Sequence, residues 1–253
     1  MLENKMLLRA KNQQLSLGLF VNITDPKMIE IAAYAGFDFI RLDMEHNMVD
    51  ISMVGEQIRT ANAVGIPVVV RVPIWDDITR LLDYGADGVI VPGVRTKQDA
   101  IDVVNMAKYA PLGQRGSATT GRATRYGAIP FKEYMKWANE NVCLTLQIEN
   151  KDALENIDEI LSVPGIDMVA SGKMDLSQSM GLAGEGGHPD VIAAENLIIR
   201  KTLETGRYPT MMAGTPKRVQ ELMNMGVYNV TLATDCGLIL KCLKSHLEAF
   251  PAR

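Results

Sequence analysis

The chain has 253 residues, 47% hydrophobic and 22% charged, which is the balance of an ordinary globular protein and not of a disordered one. A formal net charge of −4 excludes a general nucleic-acid binder, and no apolar run approaches the roughly 18 residues of a membrane-spanning helix. The opening stretch MLENKMLLRAKNQQLS has mixed charge and is not expected to act as a signal peptide. Three cysteines (Cys143, Cys236 and Cys242) form no C-x-x-C pair, so a reducing, cytoplasmic compartment is expected.

In chain order, the first expected strand is LGLFV at 17–21, followed by a helix from about 25 to 34 that Gly36 ends. FDFIRLD at 37–43 is the second strand, with a helix over 50–64. PVVVRV at 67–72 is the third, with a helix over 77–84. DGVIVP at 87–92 is the fourth, with a helix over 96–109. Regularity then breaks from 110 to 129, a Gly, Ser and Thr-rich stretch carrying Arg115, Arg122 and Arg125. A loop of that length is expected to be functional or mobile, on the strand-end face or along a flank. A helix over 131–140 precedes VCLTLQIE at 142–149, the fifth strand, and a helix over 151–162 follows. IDMVAS at 166–171 is the sixth, followed by the Gly-rich GLAGEGG loop and a helix over 189–204. PTMMAG at 209–214 and VYNVTLAT at 227–234 are the last two strands, each with a helix behind it, over 216–225 and 237–249.

Eight strand–helix units with nearly all-apolar strands predict a (β/α)8 TIM barrel, a single α/β domain over 1–253. An open doubly wound sheet is the alternative, but no G-x-G-x-x-G follows the first strand. In a parallel barrel the active site lies at the carboxyl ends of the strands, so the polar residues there matter most. Asp43, Glu45 and His46 end the second strand, Arg71 the third, and Gln147 and Glu149 the fifth. Ser171, Gly172, Lys173 and Asp175 follow the sixth, and Asp235 the eighth. Charges of both signs converge there, and unpaired they are costly to desolvate. Only three histidines occur, so a metal would be held mainly by oxygen, and Glu149 and Asp175 on adjacent strands suit Mg²⁺ or Mn²⁺. Each residue also has a plainer role: Glu149 or Asp175 as a helix cap, His46 as a loop histidine, Arg71 in a pair with Asp43 or Asp83, and the three arginines as a solvated loop face. The methionines at 211, 212, 223 and 225 read as core filling.

Five pieces in order then resemble the HpcH/HpaI aldolases, the metal-dependent class II 2-oxo-acid aldolases. They are AGFDFIRLDMEH at 35–46, PVVVRVP at 67–73, PLGQRG at 111–116 with ATRYG at 123–127, LQIEN with ALENIDEIL at 146–161, and SGKMDLSQSMG at 171–181. The resemblance implies Glu149 and Asp175 as ligands of a divalent metal (Mg, Mn or Co). It implies His46 as general base, Asp83 as an acid supporting that histidine, and Arg71 as the group that stabilises enolate charge. It further implies Gln147 as a substrate contact, with the backbone near Gly172, Met174 and Asp175 binding the substrate carboxylate. A small-molecule 2-oxo acid is the implied partner, with neither nucleic acid nor membrane. The last helix is expected to pack on a second subunit in a dimer-based homo-oligomer, commonly a hexamer. Lys173-Met174 stand where the family reads Pro-Ala, and Met44 where it reads Gly. Both departures are expected to enlarge the barrel mouth's side chains and to set the usual sugar-acid and aromatic-catabolic aldehyde substrates in question.

Three functions compete. The first is reversible aldol cleavage of a 4-hydroxy-2-oxo acid to pyruvate and an aldehyde through an enolate held on the metal. The second is a citrate synthase of siderophore biosynthesis, joining acetyl-CoA to oxaloacetate, with Lys173-Met174 and the arginine loop serving the thioester. The third is a non-catalytic 2-oxo-acid binder, against which the retained Glu149, Asp175, Arg71 and His46 speak.

Overall fold

The computed structural model describes residues 3–251, so the first two and last two residues of the expected domain lie outside it. Eight parallel strands close into a barrel in sequence order: β1 (Ser16–Val21), β2 (Phe39–Asp43), β3 (Val68–Arg71), β4 (Gly88–Val91), β5 (Cys143–Ile148), β6 (Met168–Ser171), β7 (Tyr208–Met212) and β8 (Asn229–Thr234). The fold is a (β/α)8 TIM barrel.

Alternation along the strands builds two layers of core. In β2, Ile40 and Leu42 join the apolar layer between barrel and helices, while Phe39 joins a small cluster inside the barrel with Val69, Ile90, Cys143 and Met168. Gly18 of β1 is needed there, because a Cβ at that position would run into the Phe39 ring. Arg41 and Asp43 follow Phe39 at spacing two and continue the inward row toward the carboxyl end.

The helices are α1 (Lys5–Lys11), α2 (Lys27–Tyr34), α3 (Ile51–Val64), α4 (Asp77–Asp83), α5 (Lys97–Ala107), α6 (Phe131–Asn141), α7 (Lys151–Glu155), α8 (Ile157–Leu161), α9 (Lys173–Ser179), α10 (Pro189–Glu204), α11 (Pro216–Asn224) and α12 (Asp235–Glu248). Their starts follow local chemistry: the Asp50 side chain caps α3, Thr96 and Asp99 form a capping box on α5, and Asn150 caps α7.

Three features differ from the sequence reading. First, α1 was not expected; Met6 and Ala10 close the amino end of the barrel against Phe39 and Met168. Second, the helix expected over 151–162 is two helices, broken at Asn156, whose side-chain amide donates to the Arg95 carbonyl at 3.0 Å. Third, α9 begins directly after β6, where only a turn and the Gly-rich loop were expected.

The 110–129 segment follows the flank and does not cross the barrel mouth. Its 3-10 stretch (Arg122–Gly127) packs on α4 and α6, and the buried Thr124 hydroxyl donates to Thr119 and Gly121 carbonyls. Arg115 is buried on Asp83 at 2.6 Å and over the Tyr109 ring, and Arg122 donates to Asn62 and to the Tyr84 carbonyl. Two of the three loop arginines are thus tied into the scaffold, not spread over a solvated face.

Candidate active site

The site is assembled where β2, β3, β5 and β6 end. Asp43, the last inward residue of β2, grips Arg71 at the end of β3: Arg71 Nε donates to Oδ1 at 2.9 Å and Nη2 to Oδ2 at 2.7 Å. Arg71 Nη1 lies 3.2 Å from Glu45 Oε2. The pair is nearly closed off from solvent, with side-chain exposures of 12% for Arg71 and 4% for Asp43. Burial pushes the Asp43 carboxyl up, but the Arg71 hydrogen bonds and charge and the amides of Glu45 and His46 outweigh it and hold it below the usual carboxylate range. Of the two partners open to Arg71 in the sequence, the structure selects Asp43.

Glu149 follows β5. Its Oε1 accepts the Gly93 amide at 2.7 Å, and its Oε2 accepts the Gln147 side-chain amide. Burial pushes the Glu149 carboxyl up, those two donors pull it down, and the nearby charges of Glu45 and Asp175 push it up again. Gly172 passes directly over these groups: a Cβ there would lie 2.6 Å from Glu149 Cβ and 2.8 Å from Gln147 Nε2. Asp175 lies in the first turn of α9, and the cap position belongs to Gly172. Asn150 caps α7, so neither Glu149 nor Asp175 serves as a helix cap.

His46 stands at the rim with its side chain 57% exposed, and its Nε2 is 3.6 Å from Glu45 Oε2. Met174 is exposed beside Gly186. Asp83 stands apart: within the chain its carboxylate pairs with Arg115, and no hydrogen bond or ion pair among the described residues joins it to His46. Two expected mouth residues are placed elsewhere. Met44 alternates outward into the apolar layer, and Lys173 Nζ is drawn 2.9 Å from the buried Glu195, which also holds Arg218. Asp235 is structural, accepting the amides of Asn22 and Ile23.

The donor set fits a hard divalent cation. Glu45 Oε2, ion-paired with Arg71, is buried and accepts no hydrogen bond, Ser171 Oγ is buried without a partner, and the carboxylates of Glu45 and Asp175 each repel that of Glu149. Among the described residues no cluster of three or more His, Cys, Asp or Glu side chains is spaced to hold an ion. A cation held there would draw on the neighbouring Glu149 and Asp175 carboxylates, with oxygen from water or substrate completing its shell. A separate cavity of about 260 Å³ opens at the amino end of the barrel beside Asp87, Arg125 and Tyr134, and none of these site residues lines it.

The HpcH/HpaI aldolase/citrate lyase model matches residues 16–241. The chain belongs to that family. The 2-keto-3-deoxy-L-rhamnonate aldolase of Escherichia coli (strain K12) is 34% identical over 254 residues, covering 99% of this chain and 94% of its own. Among solved structures, an HpcH/HpaI aldolase from Desulfitobacterium hafniense DCB-2 superposes with a TM-score of 0.91 at 26% identity, covering 99% of both chains. Citrate synthase SbnG superposes with a TM-score of 0.89 at 30% identity, covering 96% of this chain and 95% of its own. As a member of the HpcH/HpaI aldolase/citrate lyase family the chain is an enzyme of the aldolase and lyase class.

Sequence reasoning listed Asp43 and Glu45 as strand-end residues but gave them no role in the site. Their position two and four residues after Arg41, on the inward row, was the available signal. Gly93 was missed, because a backbone donor carries no side-chain signature.

Proposed function

We propose that the barrel mouth cleaves a 4-hydroxy-2-oxo acid, reversibly, to pyruvate and an aldehyde. The observation that supports this reading most is a preorganised Arg71 whose partner Glu45 is itself a close neighbour of the Glu149 carboxylate, beside Asp175. Glu149 and Asp175 hold a divalent cation (Mg²⁺, Mn²⁺ or Co²⁺). When bound it supplies Lewis acidity toward the oxygens of a 2-oxo acid.

The chain's own groups do the rest. The Gly172–Asp175 turn approaches closely because Gly172 has no side chain, and its backbone, with Met174 at its centre, receives the substrate carboxylate. Gln147, hydrogen-bonded to Glu149, presents an amide to the substrate. Arg71, fixed by Asp43, places positive charge where the enolate oxygen develops as the C3–C4 bond breaks. His46 at the rim takes the proton of the C4 hydroxyl as the aldehyde forms, a proton returned to C3 of the enolate gives pyruvate and resets His46, and Glu45 is the acid beside His46 within the chain. Asp83 is committed to Arg115 in its own chain, so it supports His46 only from a neighbouring subunit.

The outward face of α12 is apolar and exposed through Leu240, Leu243 and Leu247, with Phe250 beyond it. A second copy of the chain covers this face in a dimer-based oligomer, commonly a hexamer. All three cysteines are free thiols, which supports a cytoplasmic setting; no helix among the described residues is long and apolar enough to cross a membrane. Citrate synthesis is the second reading, and the SbnG likeness favours it. Against it, Arg115, Arg122 and Lys173 are engaged by the scaffold and are not open to a thioester.

The test is cleavage of a panel of 2-keto-3-deoxy sugar acids, with pyruvate followed by a coupled dehydrogenase. Pyruvate release that EDTA stops is expected. CoA release from acetyl-CoA and oxaloacetate, without pyruvate release, would favour the synthase.

A further inference from the structure

Arg41 is an unusual residue for a barrel interior. It is 4% exposed, and among the described residues no carboxylate lies within ion-pair distance of it. Its guanidinium is held by neutral groups only. Nη2 donates to the Thr210 hydroxyl and lies 3.4 Å from Asn229 Oδ1, and the rings of Phe39 and Phe20 flank it at 5.6 and 5.9 Å. Burial, together with the like charge of Arg71, pulls Arg41 down to about 10, and it remains charged at neutral pH. The neighbouring Cys143 thiol is pushed up to about 12 by burial and supplies no counter-charge.

A purely structural network would be expected to satisfy its members. This one does not: Arg41 Nε, Asn229 Nδ2 and Thr231 Oγ1 are buried without partners. An unpaired buried charge is costly, so what offsets it must lie nearby. Phe20 leads to the answer, because its ring is also 5.0 Å from the Arg71 guanidinium. Arg41 thus lies one inward position below Asp43 and one aromatic ring from Arg71, directly under the mouth. Above it, four carboxylates (Asp43, Glu45, Glu149 and Asp175) face the single cation of Arg71. A divalent metal would still leave the group one negative charge over.

We infer that Arg41 is the buried counter-charge of the site, a positioning residue that strengthens binding of the anionic 2-oxo acid and weakens binding of the metal when no substrate is present. The inference rests on the reading of the mouth as a metal and 2-oxo-acid site. Arg41 touches no reacting atom in this scheme. Its field acts through the low-dielectric barrel interior, where an unscreened charge is felt across a ring's width.

The two signs give the test. Binding of Mn²⁺ alone, and of oxalate (an unreactive dianion shaped like the pyruvate enolate) to the Mn²⁺-loaded protein, is measured by calorimetry for the wild type, Arg41→Met and Arg41→Lys. In Arg41→Met, Mn²⁺ should bind about threefold or more tighter and oxalate about threefold or more weaker. Thermal melts confirm first that both variants are folded, because Arg41→Met removes a desolvated charge and its attraction to the mouth's carboxylates together. Arg41→Lys keeps the charge and should restore both affinities toward wild type. If Arg41→Met weakens both ligands, Arg41 has a structural role and the inference fails. If neither affinity changes, the field does not reach the mouth and the inference fails equally. A wild-type protein that binds neither Mn²⁺ nor oxalate would instead overturn the reading of the site itself.

Discussion

At the scale of single residues, the site depends on charges that are costly alone and useful together. Arg71 is held at two points by Asp43, so its guanidinium needs no reorganisation when negative charge develops on the substrate. Arg71→Ala should therefore lower kcat by about 10²–10³ with a smaller change in KM. An unchanged kcat in steady-state assays would reduce Arg71 to a partner that neutralises Asp43. Asp87, at the opposite end of the barrel, carries the chain's clearest pH signature. Burial pushes its carboxyl from 3.8 up to about 6, against the pull of the Val68 amide, Arg122 and Lys5. The folded chain thus holds this proton more tightly than the unfolded chain does. The resulting stability is present below the unfolded value and is lost as pH rises through about 6. Asp87→Asn should raise Tm near pH 7.5 and leave it unchanged near pH 4. Equal shifts at both pH values in thermal melts would show that the carboxylate's ionisation is not the cause.

At the scale of elements, the β6–α9 turn is the most demanding piece of backbone in the site. A methyl group on Gly172 would press on Glu149 Cβ and the Gln147 amide, both atoms of the site itself. Gly172→Ala should displace the Glu149 carboxylate, weakening Mn²⁺ binding and lowering kcat about tenfold or more, while Tm shifts by only a few degrees. Normal Mn²⁺ affinity in calorimetry would mean that the turn can move aside. The same element shows what the sequence could and could not reveal. The positions of Arg71, Gln147 and Glu149 at or beside the ends of apolar strands, and of Asp175 just past β6, could be read from the sequence because strand ends converge in a barrel. The helix starting at Lys173 was not, since seven residues with one buried leucine give too few turns for a periodic pattern. The helix α1 escaped for a related reason: its seven residues bury only Met6 and Ala10, too few for a periodic pattern. The reach of Lys173 was misread because its partner, Glu195, lies on α10, and long-range pairing leaves no local mark. Asp83 was assigned through resemblance alone, and within the chain it meets Arg115 instead of His46.

At the scale of the whole molecule, the candidate site lies at the carboxyl end of the barrel, Asp87 at the amino end, and an apolar face is exposed on α12. Leu240, Leu243 and Leu247 are each more than half exposed, which a monomeric protein of this size seldom sustains on one helix. Leu243→Asp should shift the protein toward smaller species in light scattering coupled to size exclusion, and an unchanged mass would mean that α12 is not the contact. The central claim is that the mouth stabilises the pyruvate enolate with a divalent metal held by Glu149 and Asp175. The most direct measurement is exchange of the pyruvate methyl protons in D₂O, followed by NMR. Exchange should appear with Mg²⁺ or Mn²⁺, stop with EDTA, and be absent in Glu149→Ala. Exchange that persists in EDTA or in Glu149→Ala, or no exchange with any divalent metal, would contradict it.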